Sequence, residues 1–211
     1  MPETPLVQDG RLAEPLGVAL KEWALVCDWL AAGRLGLLVR KGGVHEDEGP
    51  GRFRAEFDRF ALFPNVEHQK PDWVKPAWLD GRSADDIDAH AERAAESGVV
   101  ELAVAAEVAA VWKVPSRGAL EALGDVLPWE APYLDMRFHY KPDRPVWLML
   151  LRAWRLRKAK AIQRTHEYDG CRSWVELAEA DALPAGLELA PAMPEPALAQ
   201  LRARVDAAMG V

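Results

Sequence analysis

The stretch Leu37–Glu46 reads LLVRKGGVHE, an apolar run followed by two cations, two glycines and a His-Glu pair. The apolar run predicts a short buried strand over residues 36–40, and the glycines predict a turn, because glycine accepts positive φ angles. A second stretch, Phe63–Gln69, reads FPNVEHQ and also places polar residues directly after apolar ones. Polar loop residues beside strands are a common setting for function, so we predict one site displayed at two strand ends.

Three side chains in these stretches have the chemistry of a catalytic or metal site: Glu46, Glu67 and His68. Carboxylates bind hard divalent cations and, together with imidazole, transfer protons, so a metal-dependent hydrolase or nuclease is one hypothesis, with Glu22 as a further member. The competing interpretation is that these residues form partly buried structural ion pairs with Arg40, Lys41 and Arg152. We favour the ion pairs, because carboxylate–guanidinium pairs are common and no nucleophile is evident.

A ligand-binding site is another interpretation of the same region. Cations and amide donors suit a phosphate, and an aromatic ring suits a stacked base. Most of the nine tryptophans must lie in the core, so few are available for such contacts. The candidate ligand-binding residues are Arg40, Lys41, His45, Gln69, Arg152, Arg172 and Trp174.

The composition indicates a globular protein with a substantial core, since half of the 211 residues are hydrophobic. Cys27 and Cys171 are the only cysteines, which predicts free thiols in a reducing compartment rather than a disulfide framework. The first residues lack the pattern of a signal peptide, and the longest apolar run, Val146–Leu151, is too short to span a bilayer. We therefore expect a cytoplasmic protein with no membrane partner.

The charge is unevenly distributed along the chain. Residues 137–164 carry nine lysines and arginines against one aspartate, a net charge of +8, whereas the whole chain carries −7 and the remainder therefore −15. Such a basic band on an acidic body is suited to a localised phosphate contact, which would make nucleic acid the partner. The alternative is a solvated surface paired with the acidic stretch Asp85–Glu101, and the sequence leaves both open.

Several familiar sites are excluded by missing motifs. The chain has no phosphate-binding loop, no dinucleotide-binding glycine pattern, no zinc-protease helix and no serine nucleophile elbow. The run from Gly33 to Gly43 is similar to the opening strand of a Nudix hydrolase, but the metal-binding helix of that family does not follow. Pro71-Asp72 begins like a restriction-type nuclease motif, and no Asp/Glu-x-Lys completes it. No cofactor is predicted; a divalent metal belongs only to the hydrolase hypothesis.

The pattern of elements predicts an α+β fold with a mixed or barrel-like β-sheet, a leading helix and flanking helices. The leading helix is expected over residues 14–33, and a second helix begins with a capping box at Ser83. Residues 99–114 are ambiguous and favour a strand. Met136–Tyr140 and Val146–Leu156 predict a hairpin, and SWVE at Ser173–Glu176 predicts another helix start.

The expected domain organisation has three parts. Residues 1–13 are predicted to be a flexible lead-in, and residues 14–183 a single α+β domain. Residues 184–211 combine a proline-rich linker with an amphipathic helix, which would pack on the body, on a partner protein or on a second copy through residues 196–209.

Four segments together resemble an uncharacterised bacterial family, the domain of unknown function family 1802. They read ALKEWA at Ala19–Ala24, LVRKGGVHE at Leu38–Glu46, LFPNVEHQ at Leu62–Gln69 and EYDGCRSWVEL at Glu167–Leu177. The family usually has Thr-Tyr where this chain has Asn-Val at residues 65–66. The resemblance covers roughly residues 16–178 and implies no established activity; it implies a link to restriction–modification systems through fusion to nuclease domains. By analogy of fold it also resembles the small PUA and EVE barrels.

The leading functional hypothesis is therefore a nucleic-acid-associated binding module, linked to restriction–modification or DNA defence. In this hypothesis the basic band 137–164 holds phosphates near Arg40 and Lys41. The alternatives are the metal-dependent hydrolase or nuclease and a structural subunit held through the terminal helix.

Overall fold

The computed structural model describes residues 5–41, 44–46, 53–170 and 172–211, with residues 44–46 and 53–54 described by their backbone alone. Eleven strands occur in these ranges. They are β1 Val7–Gln8, β2 Arg11–Leu12, β3 Val18–Trp23, β4 Leu37–Arg40, β5 Val44–Glu46, β6 Phe53–Ala55, β7 Arg59–Asn65, β8 Val99–Lys113, β9 Trp147–Gln163, β10 Trp174–Glu176 and β11 Leu189–Pro191.

The main sheet has seven strands and is mixed. Its order is β10-β3-β7-β8-β9-β11, and β4 also pairs with β9. All pairs are antiparallel except β3–β7, which is parallel. A parallel pair brings the carboxyl ends of both strands to the same edge, so Trp23 at the end of β3 lies opposite Asn65 at the end of β7.

The sheet is covered on both faces, as the alternation along its strands shows. On β7, Phe60 and Leu62 belong to one buried cluster, while Ala61 and Phe63 belong to another. Successive strand residues point to opposite faces, so these are two cores separated by the sheet. Strands buried on both faces read as continuous apolar runs, which explains why β4 and β9 are nearly free of polar residues in their buried parts.

Five α-helices accompany the sheet: α1 Ala24–Ala31, α2 Ala84–Ser97, α3 Arg117–Glu121, α4 Ala131–His139 and α5 Glu195–Met209. The Ser83 capping box is confirmed, because the Ser83 side chain accepts from the amide of Asp86 and the Asp86 carboxylate accepts from the amide of Ser83. In the described ranges, every helix is too short or too polar to traverse a lipid bilayer. The α+β fold class is confirmed.

The leading helix begins later than predicted. Residues 18–23 form β3, which lies between β7 and β10 and satisfies its backbone groups on both sides, and the helix α1 starts only at Ala24. Apolar residues at helical spacing across this segment misled the prediction, because sheet pairing on two edges outweighed local periodicity. Gly33 does end the helix region, with a φ of +69°.

Two further local predictions were wrong. Residues 136–139 are helical and Tyr140 follows the helix, because Pro132 in the first turn of α4 favours a helix start, and Tyr133 and Leu134 are buried. The predicted helix at Ser173 is instead β10, which pairs with β3. The strand expected over residues 99–114 is confirmed as β8. It pairs with β9 in place of the strand that was predicted over residues 136–140.

The two ends of the chain carry more structure than predicted. In the described part of the lead-in, β1 and β2 pair as a hairpin, and Leu6 and Leu12 are each 2% exposed. The proline-rich segment contains β11, paired with β9. The amphipathic helix is confirmed as α5, and its apolar side packs within the chain through Leu198, Leu201, Val205 and Met209. The division into domains stays a prediction.

Candidate functional site

An open cleft of about 700 Å³ lies where several elements end. The carboxyl ends of β3, β4 and β7 reach it, together with the end of α4, the turn that follows α4 and the start of β10. The parallel pairing of β3 with β7 brings two of these ends together. The elements most distant in sequence, β3 and β10, are hydrogen-bonded neighbours at this edge. The described residues that line the cleft include seven cations: Lys21, Arg40, Lys41, Arg137, Lys141, Arg144 and Arg172.

Arg40 and Glu22 form an ion pair at the inner end of the cleft. The guanidinium Nη1 contacts the Glu22 carboxylate Oε1, and the two side chains are 11% and 13% exposed. The same nitrogen lies 3.4 Å from the carbonyl oxygen of Lys21. A guanidinium so far removed from water needs a counter-charge, and Glu22 provides it.

The Lys21 side chain reaches from β3 to the segment that precedes β10. Its ammonium donates to the carbonyl oxygens of Tyr168 and Gly170, the latter at 3.1 Å. Burial lowers the pKa of Lys21, as does Arg164, whereas the charges of Asp169 and Glu67 raise it and that of Arg172 lowers it. The ammonium is thus held by neutral acceptors, so its charge stays available to an anion in the cleft.

Lys41 and Arg137 form a second pair of inner cations. Among the described residues that are buried, Lys41 is the charged one. Its Nζ donates to the carbonyl oxygen of Phe138 at 3.2 Å. Burial, followed by the charge of Arg137, lowers the pKa of Lys41, and Asp143 opposes the shift. Arg137 donates from Nη2 to the Tyr133 hydroxyl at 2.7 Å, and its guanidinium lies 4.7 Å from the ring centroid.

The other three cations, Lys141, Arg144 and Arg172, are exposed at the rim. In the described part of the chain, none of the three forms an ion pair. The cleft therefore has two tiers of positive charge. The inner tier is fixed by protein acceptors, and the exposed outer tier, without ion pairs in the described part of the chain, faces the solvent from which an anionic ligand arrives.

The described lining contains three carboxylates, Glu22, Glu56 and Glu67. Glu22 is neutralised by Arg40, and Glu67 by Arg164, whose Nε also lies 2.9 Å from Oδ1 of Asp169. Seven cations against three carboxylates leave the described lining at +4, in a chain whose net charge is −7. This local reversal of sign is the main electrostatic feature of the cleft.

The structure brings together six of the predicted site residues. Arg40, Lys41, Glu67, His68, Arg172 and Trp174 all line this cleft. The two strand ends that sequence analysis placed at one site do therefore meet, although β4 and β7 are not adjacent in the sheet. The side chains of His45 and Glu46, and the whole of Cys171, lie outside the described residues. The functional roles of all these residues stay predictions.

Gln69 and Arg152 do not line the cleft. Gln69 turns to α1, where its Oε1 accepts from the backbone amide of Leu25 at 3.1 Å. Arg152 binds Glu195 through Nη2 and Nε, at 2.7 and 3.1 Å, and Glu107 through Nη1 at 2.7 Å. Arg152 needs a partner because it lies in an apolar strand, and these two carboxylates join β8, β9 and α5.

The basic band is divided between several places. Arg137, Lys141 and Arg144 line the cleft, whereas the cations of β9 do not. Arg157 pairs with Glu188, and Lys160 donates to two carbonyl oxygens near residue 181. Within the described ranges no ion pair joins the band to Asp85–Glu101.

The aromatic and metal hypotheses are also changed by the geometry. The Trp174 ring centroid lies 5.2 Å from that of Phe57 and 5.0 Å from that of Phe60. The ring therefore packs against other aromatic side chains and does not offer a surface on which a base could stack. Among the residues whose side chains are described, no group of three His, Cys, Asp or Glu is arranged to hold a metal ion. The hydrolase hypothesis, which uses Glu46, Glu67 and His68, stays a prediction, and the Glu46 side chain lies outside the described residues.

Sequence analysis missed the contribution of Tyr140, which lines the cleft and is 52% exposed. It was placed in a predicted strand, whereas it ends α4. An aromatic directly before Lys141-Pro142-Asp143 at a turn was the signal that could have identified it.

Comparison with known proteins places the chain in a family but does not identify a function. No curated protein matches it. Two solved structures are similar in overall course: a serine-to-alanine and a tyrosine-to-phenylalanine variant of ZmASCH from Zymomonas mobilis. Each is 10% identical to this chain, and each match covers 78% of this chain. The matches cover 89% and 91% of the ZmASCH chains, with TM-scores of 0.43 and 0.40 respectively. At such similarity neither says what this chain binds. A family model described as "Domain of unknown function (DUF1802)" matches residues 19–204, and the chain therefore belongs to that family, as its sequence motifs predicted.

Proposed function

We propose that the protein is a nucleic-acid-binding module and that the cleft holds the phosphate backbone. The observation that carries this proposal is the +4 charge of the described lining in a protein of net charge −7. Phosphate is the anion that repeats along a polymer, and an open cleft with cations at several depths suits a polymer better than a single small anion. A link to restriction–modification or DNA defence stays a prediction of the sequence resemblance.

The two tiers of cations support different parts of this function. The inner cations are held rigidly by Glu22, Tyr133 and backbone carbonyls, so little side-chain entropy is lost when a phosphate arrives. The exposed cations Lys141 and Arg144 extend the field outward and attract the polymer from a distance. The acidic body disfavours nonspecific coating, which confines binding to the cleft.

Salt-dependent binding provides the test of this proposal. We expect a labelled oligonucleotide to bind in fluorescence anisotropy, with log Kd varying linearly with log salt between about 50 and 200 mM. The double variant Lys141→Glu/Arg144→Glu should weaken binding and reduce the salt slope by about 2, since each phosphate contact contributes about 1.

The matched control is Arg155→Glu/Lys158→Glu, which changes the charge equally. Both residues are exposed and belong to the same basic band, but neither lines the cleft. Wild-type affinity in this variant is the expected result. Equal losses in both variants, or no binding by the wild type at the lowest salt, would refute the proposal.

Binding should also depend on pH in the alkaline range. Because burial lowers the pKa of both Lys21 and Lys41, these ammonium groups lose their protons at a lower pH than exposed lysines do. An anion favours the protonated form, so affinity should fall as pH rises toward about 10, and binding should take up protons there. Calorimetry in two buffers of different ionisation enthalpy measures this uptake; a buffer-independent enthalpy would contradict it.

A further inference from the structure

Tyr140 differs from the other large apolar residues of the protein. Among those in the described part of the chain, only Tyr140 and the C-terminal Val211 are exposed, and Tyr140 is 52% exposed. It stands at the rim of the cationic cleft. A tyrosine that stays half exposed beside a set of cations contributes little to the core, which points to a ligand that covers its ring.

The backbone around Tyr140 is held in an uncommon conformation. Tyr140 ends α4 with its amide donating to the carbonyl of Met136 at 2.8 Å, and the next residue, Lys141, has a φ of +48°. This left-handed conformation is strained for a residue with a Cβ. Elsewhere in the described part of the chain, the non-glycine residues with positive φ are Asp9, His68 and Asp80, and both residue types tolerate this conformation better. Lysine at this position therefore opposes stability, as residues at binding sites often do.

This conformation places the aromatic ring and a cation side by side. The Lys141 Nζ lies 5.0 Å from the Tyr140 ring centroid. Arg144 follows in the same turn, where its amide donates to the carbonyl of Lys141 at 2.9 Å. A ring with adjacent cations is the combination that binds a base together with its flanking phosphates.

The other aromatic residues that line the cleft are already packed. Trp174 contacts two phenylalanine rings, and its Nε1 is buried with no hydrogen-bond partner among the described residues. Trp23 lies within 6.5 Å of the rings of Trp73, Trp129 and Tyr133. Tyr140 is therefore the ring on which an incoming base can stack.

We propose that the nucleic acid held in the cleft is single-stranded, with one unpaired base stacked on Tyr140 and the adjacent phosphates held by Lys141 and Arg144. This inference rests on the proposed function and adds the class of nucleic acid to it. In a duplex both faces of a base are covered by its neighbours, so an aromatic side chain cannot stack on it without opening the helix.

The test compares Tyr140→Ala with Tyr140→Phe, using single-stranded and duplex oligonucleotides of the same sequence. The wild type should prefer the single strand. Tyr140→Ala should weaken single-strand binding by about 5- to 150-fold, the contribution of one stacked base, and should leave the salt slope unchanged because no phosphate contact is lost. Tyr140→Phe keeps the ring and should bind as the wild type does.

A third variant, Lys141→Gly, separates binding from folding. Glycine adopts the left-handed conformation without strain, so this variant should unfold at or above the wild-type urea midpoint while its salt slope falls by about 1. An unchanged salt slope in this variant would contradict the phosphate contact assigned to Lys141, and a loss of stability would contradict the backbone strain assigned to it.

The possible results distinguish the two proposals. Binding of neither strand form would overturn the proposed function itself. Equal binding of single strand and duplex, with Tyr140→Ala unaffected, would leave the cleft as a nucleic-acid site and overturn the stacking inference alone.

Discussion

Replacing Gly33 with alanine is expected to destabilise the protein by about 3 kcal/mol or more. Gly33 has a φ of +69°, and a Cβ built there would lie 2.1 Å from the carbonyl oxygen and 2.8 Å from the carbonyl carbon of Ala192. Real Cβ atoms do not approach backbone so closely, so α1 and the segment leading into α5 would have to separate. The expected loss is the left-handed strain plus the cost of that separation, measured as the urea-unfolding free energy.

The control for this prediction is Gly186→Ala. Gly186 has a φ of +84°, but nothing lies within 4 Å of a Cβ at that position. This variant should lose only about 1–2 kcal/mol, the cost of left-handed strain. If both variants lost the same amount, close approach of Gly33 to Ala192 would not be the cause.

The Glu22→Ala variant should lose about 3 kcal/mol of stability, because it removes the counter-charge that the nearly buried Arg40 guanidinium has among the described residues. The two side chains are 13% and 11% exposed, so water compensates little. The double variant Glu22→Ala/Arg40→Met removes the orphaned charge and should recover part of the loss. Thermal or urea unfolding of the single and double variants forms the cycle that measures the coupling.

An exposed ion pair provides the comparison for Glu22. Glu188 pairs with Arg11 at 3.0 Å and with Arg157 at 2.7 Å, and its side chain is 42% exposed. Glu188→Ala should therefore cost much less stability than Glu22→Ala, because an exposed ion pair contributes little. Glu22→Ala also removes a carboxylate from the cleft, so oligonucleotide affinity should rise while stability falls. A fall in both would show that Glu22 helps to bind the ligand.

Local sequence signals predicted some elements correctly. The Ser83 capping box is an interaction between residues three positions apart, so its energy is present in any context that leaves the segment at the surface. The apolar run before Arg40 forms β4, since continuous apolar residues suit a strand buried on both faces. Signals of this kind along the chain predicted the α+β class.

Other local signals were outweighed by pairing between distant segments. The capping pattern at Ser173 favours a helix, but the edge of β3 offers unpaired backbone groups to the same segment. The segment forms β10 and pairs with Leu20 and its neighbours. The apolar residues before Ala24 recur at helical spacing, but this segment forms β3 because it pairs with β7 on its other edge. A strand partner more than a hundred residues away cannot be read from a local pattern.

The candidate site was predicted in part for the same reason. Arg40, Lys41 and Glu67 follow apolar runs, so their position at strand ends was visible in the sequence. Arg40 was also predicted as an ion-pair partner of the carboxylates, and it does pair with Glu22. Glu67 instead pairs with Arg164, because the order of strands in the sheet decides which charges meet.

By itself, the sequence determined the family, the α+β class and the presence of polar residues at two strand ends. Each of these depends on composition, on local periodicity or on short motifs, which act over a few residues. The tertiary structure decided that LLVRKGGVHE leads into a cleft whose described lining is +4, and that Tyr140 rather than Trp174 is exposed there. Those features depend on which distant strands pair, and pairing is set by the burial of both sheet faces as a whole.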